Sequence, residues 1–194
     1  MKPIVSAPAS PEITALENEN RSLARKAAAE GMVLLENNGV LPLREKEIAL
    51  YGAGARMTVK GGRGSGEVRN RSSVSIAQGL ENAGYRILTQ SWLDAFDAYY
   101  RDTYEAYRQE MEKRVDGIRE FFKIQRAITP FMEPNSIPIT EKDAVECSTA
   151  IYVLSRQAGE GHDRQCEPGD FLLTGAEKEN PSSQKGREGL SLVR

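Results

Sequence analysis

A chain of 194 residues with a formal net charge of −2 is sized for one domain, or one domain with a tail, and can bury about 70% of its unfolded surface. Its charges are mixed in sign, which excludes the general basic field of a nucleic-acid binder, and no apolar run approaches the roughly 20 residues of a membrane helix. The start, "MKPIVSAPASPEITALENENR", lacks the apolar stretch of a secretory signal, and Cys147 and Cys166 have no metal-type spacing such as C-x-x-C, so the chain reads as cytoplasmic, with free thiols and no metal.

Residues 1–13, with Pro3, Pro8 and Pro11, read as an irregular arm. Periodicity predicts a helix from about Thr14 to Glu36, with Leu23, Ala27, Met32 and Leu35 near one face and Asn37, Asn38 and Gly39 as its stop. "EIALYG" reads as the first strand, and a glycine-rich loop follows from Gly52 to Gly66. "SSVSIAQGLENAGY" reads as a short helix with Ile76 and Leu80 inward, and "RILTQ" as a second strand. Strand, helix, strand is the pattern of an α/β fold with a mostly parallel sheet covered by helices.

Trp92 to Phe122 is long, charged and rich in tyrosine, and fits one or two helices. Tyr100, Tyr104 and Tyr107 share a face at helical spacing, which reads as a packing stripe rather than a binding platform. "TPFMEPNSIPIT" is a proline-broken loop, Thr140 caps a short helix over "EKDAVECS", and "TAIYVLS" is the third strand. "GAEKEN" begins a further helix, cut off by Pro181, and the polar tail beyond it reads as disordered.

The loop "YGAGARMTVKGGRGSGEV" invites a nucleotide-binding reading, but its residues argue against one. Gly61 to Gly66 has Walker spacing with Glu67 where lysine belongs, and an acid there repels phosphate. The dinucleotide pattern begins at Gly52 and Gly54 and is broken by Met57. Two readings stay open: glycines that permit a tight turn, or a substrate loop in which Ser65 bonds a hydroxyl and Arg63 and Lys60 add polar contacts.

"SRQAGEGHDR" places Glu160 between two glycines just past the third strand, where sites of open α/β sheets lie. Such an acid is accessible, and it serves as a general acid only if burial or a nearby negative charge raises its pKa from about 4.3. His162, the only histidine, has no partnered serine or second histidine for a triad and reads as solvent-facing. Asp163 and Arg164 are read as braces of the loop.

The order "ARKAAAEGMVLLENNGVLPL", "KGGRGSGEV", "SRQAGEGHDR", "GDFLLT" resembles family-three glycoside hydrolases of the β-glucosidase type, and more narrowly their α/β sandwich domain. The likeness spans about residues 18 to 179, apart from a variable helical insertion at about 94–139. It implies a partial sandwich domain over residues 1–179, with 180–194 as tail. It also implies a retaining hydrolase acting on a β-glucoside or oligosaccharide. Glu160 is then the acid/base, Ser65 contacts the sugar, Arg63 lies beside it, and no cofactor is used. In that chemistry a second carboxylate about 5–5.5 Å away attacks the anomeric carbon, and Glu160 then activates water.

The family's nucleophile sits on a TIM-like barrel, which needs about 250 residues, whereas 20 residues follow "GDFLLT". The sandwich-first order fits reversed-order members, and Ala158 replaces the serine often found before the motif. The chain is therefore expected to be a truncated fragment, inactive alone, with a barrel supplied elsewhere as partner. The alternatives are a non-catalytic sugar-binding or interaction module, whose bare apolar face would self-associate, and, disfavoured by Glu67, a nucleotide-binding domain.

Overall fold

The computed structural model describes residues 12–35, 37, 39–62, 66, 72–128, 131–159, 163–182 and 190–191. The chain divides into two compact units, Met1–Leu41 and Pro42–Arg194. In the first, α1 spans Ala15–Gly31. Thr14 caps it reciprocally: its Oγ1 accepts from the Glu17 N–H at 3.2 Å, and its own N–H donates to Glu17 Oε2 at 2.7 Å.

The helix stops earlier than its periodicity predicts. Gly31 has low helical propensity, Met32 is already extended, and Val33 is β-branched. Asn37 organises a turn instead, its Oδ1 accepting from Gly39 and Leu41 N–H and its Nδ2 donating to the Leu41 carbonyl. The expected apolar face does not form: α1 buries no residue, Leu23 is exposed, and Met32 and Leu35 lie beyond its end, also exposed.

The second unit is an α/β fold around a parallel sheet of order β2-β1-β3-β4. Strand β1 is Glu47–Tyr51, β2 is Arg86–Ile87, β3 is Ala150–Tyr152 and β4 is Leu190–Ser191. The register pairs Ile48 with Ile87, Leu50 with Ile151, and Ala150 with Leu190. Four successive residues of β1 and all three of β3 are buried, so both sheet faces are covered, as parallel sheets require. Within the segment read as a tail, Leu190 and Ser191 thus pair with β3; 183–189 and 192–194 lie outside the described residues.

Helix α2, Ile76–Asn82, crosses from β1 to β2 and starts where Ser75 Oγ accepts from Gln78 N–H at 3.1 Å. Ala77 is buried and Leu80 packs on the core, while Ile76, expected inward, is exposed at the first turn. Helix α3 spans Gln90–Val115 and α4 spans Phe121–Ala127. The first turns of α3 belong to the core: Trp92 meets Tyr51 edge-on at 5.4 Å and stacks on Phe96 at 5.8 Å. A boundary near residue 94 therefore cuts a continuous helix. Further along α3, Tyr100, Tyr104 and Tyr107 all pack on Phe131 at 5.1 to 5.6 Å, as the packing-stripe reading expects.

The proline-broken segment after α4 is a strap fastened by polar tips of core aromatics. Trp92 Nε1 donates to the Pro138 carbonyl, Tyr152 Oη to Ser136 Oγ, and Tyr51 Oη to the Asp143 carbonyl. Where a helix was expected over "EKDAVECS", a single 3-10 turn forms at Glu141–Asp143, capped by Thr140. Helix α5, Gly175–Ser182, precedes β4 and runs on through Pro181, where its end was expected.

Strand β2 is only two residues long, and Thr89 extends its ladder with a side chain. Its Oγ1 accepts from Leu50 N–H at 2.9 Å and donates to the Leu50 carbonyl at 2.7 Å. Thr89 is 1% exposed. Thr89→Val keeps the volume and strands both backbone groups of Leu50, each costing about 1–3 kcal/mol when buried. Urea denaturation is expected to show a loss of about 2 kcal/mol or more with an unchanged m-value.

Candidate functional site

Strand β1 has β2 on one side and β3 on the other, so the chain switches direction across the sheet between β1 and β3. The crevice outside the carboxyl ends of such a pair is the usual ligand position in open α/β sheets. Those ends carry the two loops singled out from the sequence, one leaving β1 at Gly52 and one leaving β3 at Val153.

The first loop is pressed against β3. Gly52 has φ +95°, and a Cβ there would lie 2.2 Å from the Val153 carbonyl oxygen. A Cβ on Gly54 would lie 2.7 Å from a Val153 methyl, and Gly54 N–H donates to the Val153 carbonyl at 3.3 Å. Gly52 is thus required by backbone approach and a left-handed turn, and Gly54 by its contact with the Val153 side chain, which favours the tight-turn reading for this part of the loop. Arg56 ends the turn and fastens it to α3, its Nη1 reaching Asp94 and Asp97 at 2.6 Å each.

The glycine-rich loop and the β3 loop then run side by side. Gln157 Nε2 donates to the Gly61 carbonyl at 3.0 Å. A Cβ on Gly62 would sit 3.1 Å from the Ala158 carbonyl oxygen, and one on Gly61 would sit 2.6 Å from that of Gly66. Arg63, Ser65, Glu160 and His162 lie outside the described residues. What is described is their flanks: Gly62 and Gly66 bracket Arg63 and Ser65, and Ala158 and Gly159 lead to Glu160.

Arg156 anchors the stem of the second loop. Its Nε donates to the Asp170 carbonyl at 2.7 Å and its Nη1 to the Ser155 carbonyl at 2.8 Å. Both terminal nitrogens bond Glu177, at 2.8 and 2.6 Å, a two-pronged pair on the first turn of α5. Glu177 also accepts from the Thr174 N–H at 2.9 Å, and Thr174 Oγ1 accepts from the Glu177 N–H at 3.1 Å. Burial alone would raise the Glu177 pKa, but the hydrogen bonds from Arg156 and Thr174 outweigh it and hold the carboxyl below its ordinary value.

The turn between the loop and α5 is braced as expected of Arg164, whose Nη1 donates to the Asp170 carbonyl at 3.2 Å. Asn135 of the strap donates to the Gly169 carbonyl at 3.1 Å, and Gly169 has φ +92°.

Sequence reasoning missed Arg156 and Glu177. The signal for the acid was present: "TGAE" has the T-x-x-E spacing of a reciprocal cap. Nothing local marked that the same carboxylate would be buried on an arginine 21 residues earlier. Among the described residues no group of His, Cys, Asp and Glu side chains is arranged to hold a metal ion, and no helix is long and apolar enough to cross a membrane.

The Glu177 side chain is 0% exposed and that of Arg156 is 17% exposed. Glu177→Gln leaves the guanidinium buried without its counter-charge, a change that costs about 3–5 kcal/mol for buried pairs. Because the folded carboxyl titrates below the unfolded one, its stabilisation is complete above the unfolded value of about 4.3 and is lost as pH falls through the folded value. The stability gap between wild type and Glu177→Gln, measured by chemical denaturation, is therefore expected to be constant at neutral pH and to narrow below about pH 4.

Fold and site together define an α/β domain whose two adjoining loops stand at the switch point of a parallel sheet. The chain belongs to the family of the glycosyl hydrolase family 3 C-terminal domain, whose profile matches residues 32–182. It is 31% identical over 163 residues to a beta-glucosidase of Ruminococcus albus, covering 83% of this chain and 16% of that protein. It is also 31% identical over 182 residues to beta-glucosidase A of Butyrivibrio fibrisolvens, covering 20% of that protein. Beta-glucosidase 3B from Thermotoga neapolitana, solved in complex with alpha-D-glucose, superposes with a TM-score of 0.59 at 30% identity, over 90% of this chain and 24% of that one. A beta-glucosidase from Paenibacillus barengoltzii shares the fold, with a TM-score of 0.63 at 23% identity. The chain thus spans about a fifth of the length of these relatives.

Proposed function

We propose that the chain contributes the acid/base loop of a retaining β-glucosidase-type hydrolase, with a β-glucoside or oligosaccharide as substrate. Glu160 protonates the leaving oxygen while a carboxylate of a barrel domain attacks the anomeric carbon. Glu160 then takes a proton from the incoming water. Ser65 and Arg63 contact the sugar from the glycine-rich loop.

The observation that carries this reading is the contact between the two loops, through Gln157 and the Gly61 carbonyl and through Gly62 and the Ala158 carbonyl. It brings the flanks of Ser65 and Glu160 to one place at the switch point. Membership of the glycosyl hydrolase family 3 C-terminal domain, with beta-glucosidases as relatives, supports this reading of the chemistry.

The 194 residues alone are expected to give no turnover of an aryl β-glucoside above the uncatalysed rate. Adding a separately produced barrel domain of the same family is expected to restore it, and Glu160→Gln to reduce the restored rate by about 10²–10⁴-fold. Full activity of the lone chain, or of Glu160→Gln in the mixture, would overturn the assignment.

A further inference from the structure

We propose that Asp170 is the positioning residue of the loop that carries Glu160. It receives both ends of that loop at one point, and so fixes where the loop leaves the domain and where it returns. The proposal rests on Glu160 being the acid/base, and it names what holds that acid in place rather than a further reacting group.

The turn that carries Asp170 is built as a fixed point. Glu167 N–H donates to the Gln165 carbonyl at 2.8 Å, and Phe171 N–H donates to the same carbonyl at 3.1 Å. Asp170 and Leu172 N–H both donate to the Glu167 carbonyl, at 3.2 and 3.1 Å, and Gly169 N–H returns to the Leu172 carbonyl at 2.9 Å. Asn135 ties this turn to the strap through the Gly169 carbonyl. A backbone whose donors are spent within so short a stretch keeps its side chains in place.

Both ends of the acid loop come to this turn. On the outgoing side, Arg156 Nε donates to the Asp170 carbonyl at 2.7 Å. On the returning side, Arg164 Nη1 donates to the same carbonyl at 3.2 Å and lies 3.7 Å from the carboxylate Oδ1. The next residue, Gln165, donates its N–H to Asp170 Oδ2 at 2.5 Å. A carbonyl oxygen has two lone pairs, and here they serve the arginine that opens the loop and the arginine that closes it. Arg156 fixes the outgoing stem to α5 through Glu177; Asp170 ties the returning side to that same anchor. Pinning two ends together narrows the positions open to any residue between them. A general acid has to lie within hydrogen-bond reach of the leaving oxygen, and a misplacement of about 1 Å can cost about 10²-fold in rate.

The first test needs the 194-residue protein alone: limited tryptic digestion under native conditions, with each cut quantified by mass spectrometry. Asp170→Ala removes the carboxylate that holds Arg164 and Gln165, and loosens with it the carbonyl that Arg156 uses. Cleavage after Arg156 and after Arg164 is expected to accelerate together, about tenfold. Cleavage after Arg86, inside β2, is expected to keep its wild-type rate. Faster cleavage after Arg164 alone, or after neither, overturns the proposal, because Asp170 would then not join the two ends. Faster cleavage after all three overturns it too, as a loss of the whole fold.

The second test uses the mixture with a separately produced barrel domain and varies the leaving group. Methyl β-glucoside needs a proton on its leaving oxygen, whereas dinitrophenyl β-glucoside expels a weak base that needs none. For Asp170→Ala, kcat/KM is expected to fall about 10²-fold on the first and less than about threefold on the second. Asp170→Asn, which keeps an acceptor for the Gln165 N–H, is expected to recover most of the loss. An equal fall on both substrates overturns the positioning role, since damage to the fold does not distinguish leaving groups. Glu160→Gln without that split would sink the acid assignment instead, and the digestion, which does not use Glu160, still decides whether Asp170 joins the loop's ends.

Discussion

The buried pair of Arg156 and Glu177 holds together the parts that make this domain more than a sheet with helices. One guanidinium reaches the stem of the β3 loop, the turn through Asp170, the strap through Asn135 and the first turn of α5. Each of these segments is irregular or short, and the guanidinium ties them to one another. A planar fork with several donors can serve carbonyls and a carboxylate at once, which an ammonium group cannot do with the same geometry. The carboxylate is in turn oriented by Thr174, so the pair is satisfied on both sides. A charged pair with this many partners avoids the penalty that makes many buried ion pairs a poor source of stability.

The arrangement at the strand ends follows from the topology. Two neighbouring parallel strands send their chains out on the same edge, and the outgoing loops compete for the same space. Gly52 and Gly54 resolve that competition by letting the β1 exit lie on Val153. The result is a shared platform from which the glycine-rich loop and the "AGEG" loop depart together. Arg56 then clamps the platform to α3 through two aspartates. The bases of both loops are fixed by close packing and charge.

Much of this was legible in the sequence because it is local. Strand β1 is announced by "EIALYG", the βαβ unit by the alternation of patterns, and the tyrosine stripe by helical spacing. The end of α1 was misplaced because the apolar spacing continues through "MVLL", while glycine and valine at that point oppose a helix. The change of composition at residue 94 has no counterpart in the backbone: Trp92, Leu93 and Phe96 are core residues on the same helix as the charged turns beyond them. The two-pronged Arg156 contact was invisible, since long-range pairing leaves no trace in spacing. The positions carrying the proposed chemistry were legible only through their motifs, which the resemblance supplied.

The stretch from α3 to the strap has a consequence for how this domain can change. Its two ends are both fixed to the sheet, one by Trp92 and Phe96 at the start of α3, the other by the tyrosine and tryptophan tips that grip residues 136–143. Between these anchors the chain makes an excursion through the exposed end of α3 and through α4. Lengthening such an excursion costs little, about 0.6 kcal/mol for each doubling of a flexible loop. The segment between Val115 and Phe131 is therefore a place where length can be gained or lost while the aromatic anchors and the loop platform stay where they are. The edge at the strand ends can keep its geometry while a detour whose endpoints are pinned changes length.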